Sequence, residues 1–187
     1  MTNHSYFNLA GHASGTACNA KVWLDADAFT ETDAELIPTG TVIPVEGTPM
    51  DFREGKKVAK EIGADYKPLK LAGGYDHNWV LNGSGFRKAA SAESEETGIK
   101  MEVYTDLPGI QFYSGNFLAG AKGKGRSCLW KGFVVYALKR SISRMQFIKI
   151  ILNLRLQKPE KYMIQQQRIG FADFHKNIRI SFGYIKK

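Results

Sequence analysis

Cysteine is nearly absent from this chain: Cys18 and Cys128 are the two in 187 residues. That is too few for a disulfide framework, so a reducing compartment is the expectation. Long apolar runs are missing as well. The most apolar segment of the C-terminal third, Met145 to Leu156, is broken by Lys149 and Arg155 and is too short to span a bilayer. The N-terminus has no charged region leading into an apolar stretch, so no secretory signal is expected. These absences together predict a cytoplasmic protein without a membrane partner. The fourth absence is acidic charge, and it is local. Residues 122–187 hold 16 Lys+Arg against two acids, a net of +14, whereas residues 1–121 hold 10 Lys+Arg against 16 acids, a net of −6. The overall +8 is therefore a property of the tail. A seam near Lys122 divides the chain into an acidic part, 1–121, and a basic tail, 122–187, in which no domain is recognisable.

What is present in the first part is β structure. Glycine and proline punctuate it every few residues, with period-2 alternation between them. Ile99, Met101 and Val103 alternate with Lys100, Glu102 and Tyr104 as in a half-buried strand. Glu95-Glu96-Thr97-Gly98 supplies the turn that joins this strand to the Phe86–Ala92 segment in a hairpin. His77–Leu81 and Ile110–Tyr113 read as further short strands. Pro38 to Pro49 cannot be helical, because its prolines lack donors and fix φ. A short helix is expected over Lys56–Ile62. Many short strands with turn signals predict an all-β, antiparallel sandwich or barrel. The tail shows no clean period; a helix over Ser141–Leu156 is one reading and disorder the other.

Two clusters set a histidine among aromatics and amides: Thr2-Asn3-His4-Ser5-Tyr6-Phe7-Asn8-Leu9 and Gly73-Gly74-Tyr75-Asp76-His77-Asn78-Trp79. This is the composition of a sugar pocket, where rings lie on apolar faces and amides or carboxylates take hydroxyls. Each cluster also has an ordinary reading, the histidine as a satisfied structural residue and Gly-Gly-Tyr-Asp as a turn. Three more strings complete the pattern: Leu36-Ile37-Pro38-Thr39-Gly40, Gly47-Thr48-Pro49-Met50-Asp51-Phe52-Arg53, and Pro108-Gly109-Ile110-Gln111-Phe112-Tyr113-Ser114-Gly115-Asn116.

Taken together, in this order and at this spacing across residues 2–118, the five strings resemble the aldose 1-epimerase (galactose mutarotase) family. The resemblance implies a large antiparallel β-sandwich and an isomerase that needs no cofactor and no metal. Its substrate is a hexose such as galactose or glucose, whose α and β anomers it interconverts by acid/base ring opening. An acid protonates the ring oxygen while a base takes the anomeric hydroxyl proton; the ring opens, rotates and recloses on the other face. By the family pattern His4 is the catalytic acid, since an imidazole both gives and recovers a proton near neutrality. Asp76 holds a sugar hydroxyl, and Gln111 is a further substrate-binding group; the plain alternative for Gln111 is a solvent-facing strand residue. His77 is read as structural, and His12 and His175 match nothing.

The chain departs from the family pattern in two ways. It begins at the His4 string, so the expectation is a fragment, the C-terminal part of such a sandwich. It also lacks the family's base, a Glu in a Glu-Thr-Gln motif beyond Gly115-Asn116-Phe117-Leu118: no acid stands between Asp106 and Glu160. Synonymous codons for Ala137 through Gln146, read from the third base of Ala137, can spell Ile-Glu-Thr-Gln-Tyr-Phe-Pro-Asp-Ala, with the Glu codon straddling Leu138 and Lys139. Residues 126–131 read in the other shifted frame can spell Gly-Ala-Val-Tyr-Gly-Lys. The tail is thus expected to be a frameshifted translation of the family's C-terminus, lost from frame around Gly125. On that reading its Lys and Arg carry no specific nucleic-acid role, although unspecific attraction to polyanions follows from the charge. Gly120-Ala121-Lys122-Gly123-Lys124-Gly125 lacks the ending of a phosphate loop. Two readings stay open for the whole, an epimerase by descent that is truncated and inactive, or a non-catalytic carbohydrate-binding remnant. A third, an interaction module using the tail, is the outlier.

Overall fold

The computed structural model describes residues 6–11 and 14–118, and beyond them the backbone of residues 137–141, 167–173 and 178–181. Among the described residues the strands in chain order are β1 (Lys21–Leu24), β2 (Ala28–Thr32), β3 (Pro38–Pro44), β4 (Lys56–Lys57), β5 (Asp76–Val80), β6 (Arg87–Glu93), β7 (Ile99–Thr105), β8 (Gly109–Tyr113), β9 (Ala137–Ser141), β10 (Gln167–Asp173) and β11 (Ile178–Ser181), with the α-helix α1 (Lys67–Ala72) before β5. They form a six-stranded sheet in the order β11-β10-β7-β6-β1-β4 and a five-stranded sheet in the order β3-β2-β5-β8-β9. Their pairings are antiparallel. This is the expected all-β architecture.

The two sheets share one core. Val22, Leu24, Ala90, Ala92, Met101 and Val103 from the larger sheet and Phe29, Trp79, Ile110 and Phe112 from the smaller belong to a single buried cluster. Burying this apolar surface is what drives the sheets together, at roughly 25 cal/mol per Å² removed from water. The β6–β7 hairpin forms as its alternation predicts: Ala92 pairs with Met101 and Glu93 with Lys100. Gly98, at a φ of 69°, closes the turn with its N–H donated to the Ser94 carbonyl at 2.9 Å. Proline stands at both ends of β3, an edge strand of its sheet, where a missing donor costs no ladder bond and discourages further pairing.

The helix expected over Lys56–Ile62 is not there. Lys56 and Lys57 pair with Val22 and Lys21 instead, and Val58–Lys60 is a 3₁₀ turn. Tertiary bonds outweigh the local preference: Lys56 Nζ donates to the Pro49 carbonyl at 2.7 Å and forms an ion pair with Glu61, and the Val58 N–H reaches the Ala20 carbonyl at 3.2 Å. The helix forms a few residues later as α1, with Pro68 in its first turn. In the tail, where sequence offered a helix or disorder, three strands join the sheets, β9 beside β8, β10 beside β7 and β11 outside β10. The sheets therefore draw on both sides of the 121/122 seam. Ser141 ends β9, and the rest of the Ser141–Leu156 segment lies outside the described residues.

Candidate functional site

β5 and β8 carry the candidate site, and their register sorts its residues. Asp76 faces Tyr113, His77 faces Phe112, Asn78 faces Gln111 and Trp79 faces Ile110. Because strand side chains alternate between faces, His77, Trp79, Ile110 and Phe112 fall on one face and Asp76, Asn78, Gln111 and Tyr113 on the other. The first set is in the core, each fully buried, with the His77 ring edge-on to Phe29 at 5.9 Å and to Trp79 at 6.3 Å. The second set is polar.

On the polar face the Gln111 side-chain amide donates from Nε2 to Asp76 Oδ1 at 2.8 Å. Both residues are half-buried, so their remaining lone pairs and donor are available to a ligand. Asn78, beside Gln111 across the register, donates from Nδ2 to Thr30 Oγ1 at 3.1 Å. Its Oδ1 is buried and has no hydrogen-bond partner among the described residues. Tyr113 supplies an aromatic border. Phe117 stacks on it at 6.5 Å and Tyr6 meets it edge-on at 6.4 Å, while the Phe117 N–H donates to the Tyr113 hydroxyl at 2.9 Å. Burial raises the Tyr113 pKa, and the charge of Asp76 adds to the effect. Phe117 and Tyr6 are both exposed at this border. A carboxylate, an amide and ringed apolar surface on one sheet face can hold a polyhydroxylated ring by its hydroxyls and its C–H face at once.

Sequence reasoning named Asp76 and Gln111, and the structure brings these two together. His4 lies outside the described residues, as do His12 and His175. Tyr6, two residues on from His4, packs against Tyr113, so the chain just after His4 reaches this border. His77, read as structural, is fully buried. Burial pushes its pKa down to about 4, the Pro68 backbone offsetting only part of that, and its Nδ1 accepts the Asp76 N–H at 3.1 Å.

Other contributors escaped the sequence reading. Asn78 and Tyr113 were available in principle from the period-2 alternation that puts Asp76 and Gln111 on their face. The Gly47–Arg53 string acts as a brace: the Pro49 carbonyl accepts from the Tyr75 hydroxyl and the Met50 carbonyl from Trp79 Nε1, each at 3.0 Å. Arg53 grips Asp51 through Nε at 3.0 Å and Nη2 at 2.7 Å, and that hydrogen bond chiefly holds the Asp51 carboxyl below its usual range. Among the described residues there is no group of three His, Cys, Asp or Glu placed to hold a metal ion, and no helix long and apolar enough to cross a membrane.

Comparison with known proteins places these observations. The chain matches the family described as Aldose 1-epimerase over residues 1–150, past the charge seam. It is 45% identical over 126 residues to a galactose mutarotase from Homo sapiens, covering 66% of this chain and 35% of that protein. It is 40% identical over 139 residues to an aldose 1-epimerase from Escherichia coli (strain K12), covering 72% of this chain and 40% of that protein. The chain thus spans about a third to two-fifths of the length of these relatives. Among solved structures it resembles a GalM/aldose epimerase homologue from C. elegans, at 29% identity and a TM-score of 0.63 over 74% of this chain and 40% of that one. A galactose 1-epimerase from Lactobacillus acidophilus NCFM matches at 27% identity and the same TM-score of 0.63, over 74% of this chain and 39% of that one.

Proposed function

Since the chain belongs to the aldose 1-epimerase family, we propose that the polar face of β5 and β8 is a hexose site, with Asp76 accepting from a sugar hydroxyl and Gln111 both steadying that carboxylate and donating to the ring substituents. The observation that carries this reading is the 2.8 Å bond from Gln111 Nε2 to Asp76 Oδ1, formed on a half-buried face bordered by Tyr113, Phe117 and Tyr6. A carboxylate already held by one donor keeps its other oxygen for substrate, and charge-assisted bonds of that kind contribute about 1.5–3 kcal/mol each.

The chemistry such a site serves is interconversion of anomers. His4 donates its proton to the ring oxygen of galactose or glucose, the C1–O bond breaks to the open aldehyde, and reclosure on the opposite face returns the proton. The step also needs a base for the anomeric hydroxyl proton. No Asp or Glu stands between Asp106 and Glu160, and the strand beside β8 puts Lys139 in register with Gln111. We therefore read the chain as a sugar-binding protein of epimerase descent whose own turnover is slight or nil, the tail from about Gly125 being translated out of frame. An uninterrupted gene encoding this tail in the same frame in several isolates would remove the frameshift from the account.

Calorimetric titration with galactose or glucose, run beside polarimetry of fresh α-galactose, tests the rest. Binding is expected in the wild type and should weaken at least tenfold in Asp76→Asn, which corresponds to about 1.4 kcal/mol. Mutarotation should stay at the spontaneous rate. An acceleration abolished by His4→Ala would instead make the chain an active epimerase, and binding indifferent to Asp76→Asn would remove Asp76 from the site.

A further inference from the structure

Asp76 is the first residue of β5, and Gln111 lies in the middle of β8, so their meeting depends on how β5 is entered. The entry is built from glycine. Gly73 ends α1 at a φ of 63° and Gly74 follows at 140°, conformations that glycine adopts freely and that leave the backbone soft. Tyr75 comes next, and its backbone is held from the far side of the strand pair. Its N–H donates to Ser114 Oγ at 3.0 Å. Its carbonyl accepts the Ser114 N–H at 2.9 Å and an Asn116 Nδ2 proton at 3.2 Å. The second Nδ2 proton goes to the carbonyl of Ala72, the last residue of α1, at 2.7 Å. The Ser114 hydroxyl proton has its nearer acceptor in Asn116 Oδ1, at 2.5 Å, rather than in the Tyr75 carbonyl at 3.2 Å. Ser114 and Tyr75 are 1% and 0% exposed.

Every donor of the Asn116 amide, and both hydrogen-bonding roles of the Ser114 hydroxyl, are thus spent on the two ends of the glycine turn and on each other. None of these bonds is made to Asp76 or Gln111. We propose that Ser114 and Asn116 are positioning residues for the hexose site: they fix the Tyr75 peptide and, through it, hold the Asp76 carboxylate within reach of the Gln111 amide. The proposal rests on reading that pair as the sugar site, and it adds how the site is set. A clamp of this kind matters because displacement of a binding group by about 1 Å is enough to lose much of its interaction energy.

A double-mutant cycle with a spectroscopic control tests it. Galactose affinity is measured for the wild-type chain, Asn116→Ala, Asp76→Asn and the double variant, with Ser114→Ala as the substitute where Asn116→Ala fails to fold. Asn116→Ala is expected to weaken binding about tenfold, and the double variant to bind no worse than Asp76→Asn alone, because coupled residues are non-additive. Independent losses that multiply in the double variant would overturn the proposal. In parallel, the Gln111 side-chain amide resonances are followed by NMR without sugar. They should shift in Asn116→Ala or Ser114→Ala and stay put in Val103→Ala, a core truncation on the other sheet. Unmoved Gln111 resonances in a folded clamp variant would likewise overturn it. Shifted resonances in a protein that binds no hexose would overturn the sugar reading while leaving the positioning of Asp76 by the clamp standing.

Discussion

On β5, His77 and Trp79 enter the core while their chain neighbours Asp76 and Asn78 stand on the opposite face of the same sheet, and β8 repeats the pattern with Phe112 and Ile110 against Gln111 and Tyr113. The two faces share a backbone, a register and a hydrogen-bond ladder. They differ in what their side chains are kept for. Inward residues fill space: Trp79, Phe29, Phe52, Tyr75 and Phe112 make a mutually packed aromatic group with centroids 5.1–6.3 Å apart. Outward residues are polar: Asp76 and Gln111 are half-buried and bonded to each other, while the buried Asn78 donates to Thr30 and leaves its Oδ1 without a partner among the described residues, an arrangement that adds little to the stability of a fold. Space-filling and polarity are thus divided along each strand by the parity of residue number.

The largest expected effect tests that division directly. Trp79 is fully buried and its indole N–H satisfies the Met50 carbonyl. Trp79→Ala should therefore cost about 3–5 kcal/mol from the cavity and the lost burial, read as a fall in the urea midpoint. Gln111→Ala, one strand away on the other face, should cost about 1 kcal/mol or less. Near-equal losses in the two variants would break the comparison.

A somewhat smaller effect is expected from pH, and it comes from the one ionisable group among the inward residues of β5 and β8. Folded, His77 stays neutral until about pH 4, whereas it takes a proton near its ordinary 6.5 when unfolded. Between those values the unfolded chain binds the extra proton, so this contribution to stability is fully present above about pH 6.5 and declines as the pH falls toward 4. Its size is about 3 kcal/mol, from about 1.4 kcal/mol per pH unit. Urea unfolding of the wild type and His77→Gln at pH 7 and pH 4 should show the wild type losing that much more than the variant. Parallel losses in both would mean that the ring is hydrated and not a core residue.

How much of this was legible in the sequence follows from how local each feature is. The β6–β7 hairpin was readable because its alternation and its Gly98 turn lie within one short stretch. Asp76 and Gln111 were reachable through the motifs around them, and the strands bearing them through their apolar runs. The helix expected at Lys56–Ile62 failed because pairing with β1 and the bond from Lys56 to Pro49 are decided by residues far along the chain. The clamp at Ser114 and Asn116 was invisible for the same reason, its bonds spanning 39 and 44 residues. Composition reported the charge seam faithfully, yet β9, β10 and β11 pair through backbone N–H and C=O groups, which every residue type carries save for the N–H that proline lacks, so charge did not foretell them.

The smallest effect is the most discriminating, because the comparison fixes its sign. Thr30 and Asn78 are both buried, and the 3.1 Å bond between them satisfies one amide proton while leaving Asn78 Oδ1 without a partner. Thr30→Val alone removes the acceptor and strands the amide donor as well, so it should cost about 1–2 kcal/mol. Adding Asn78→Leu removes both polar partners and the stranded oxygen together while keeping the side chain's size. Replacement of a buried polar pair by apolar groups of similar shape is close to neutral or favourable, so the double variant should return to within about 1 kcal/mol of the wild type or exceed it. Galactose affinity measured on the same variant should nonetheless fall, since an amide beside Gln111 has become hydrocarbon. Stability restored with binding lost would show the outward face carrying polarity for a ligand at the fold's expense. A double variant less stable than Thr30→Val would show instead that Asn78 is a structural residue, and the division between the two faces would lose its clearest case.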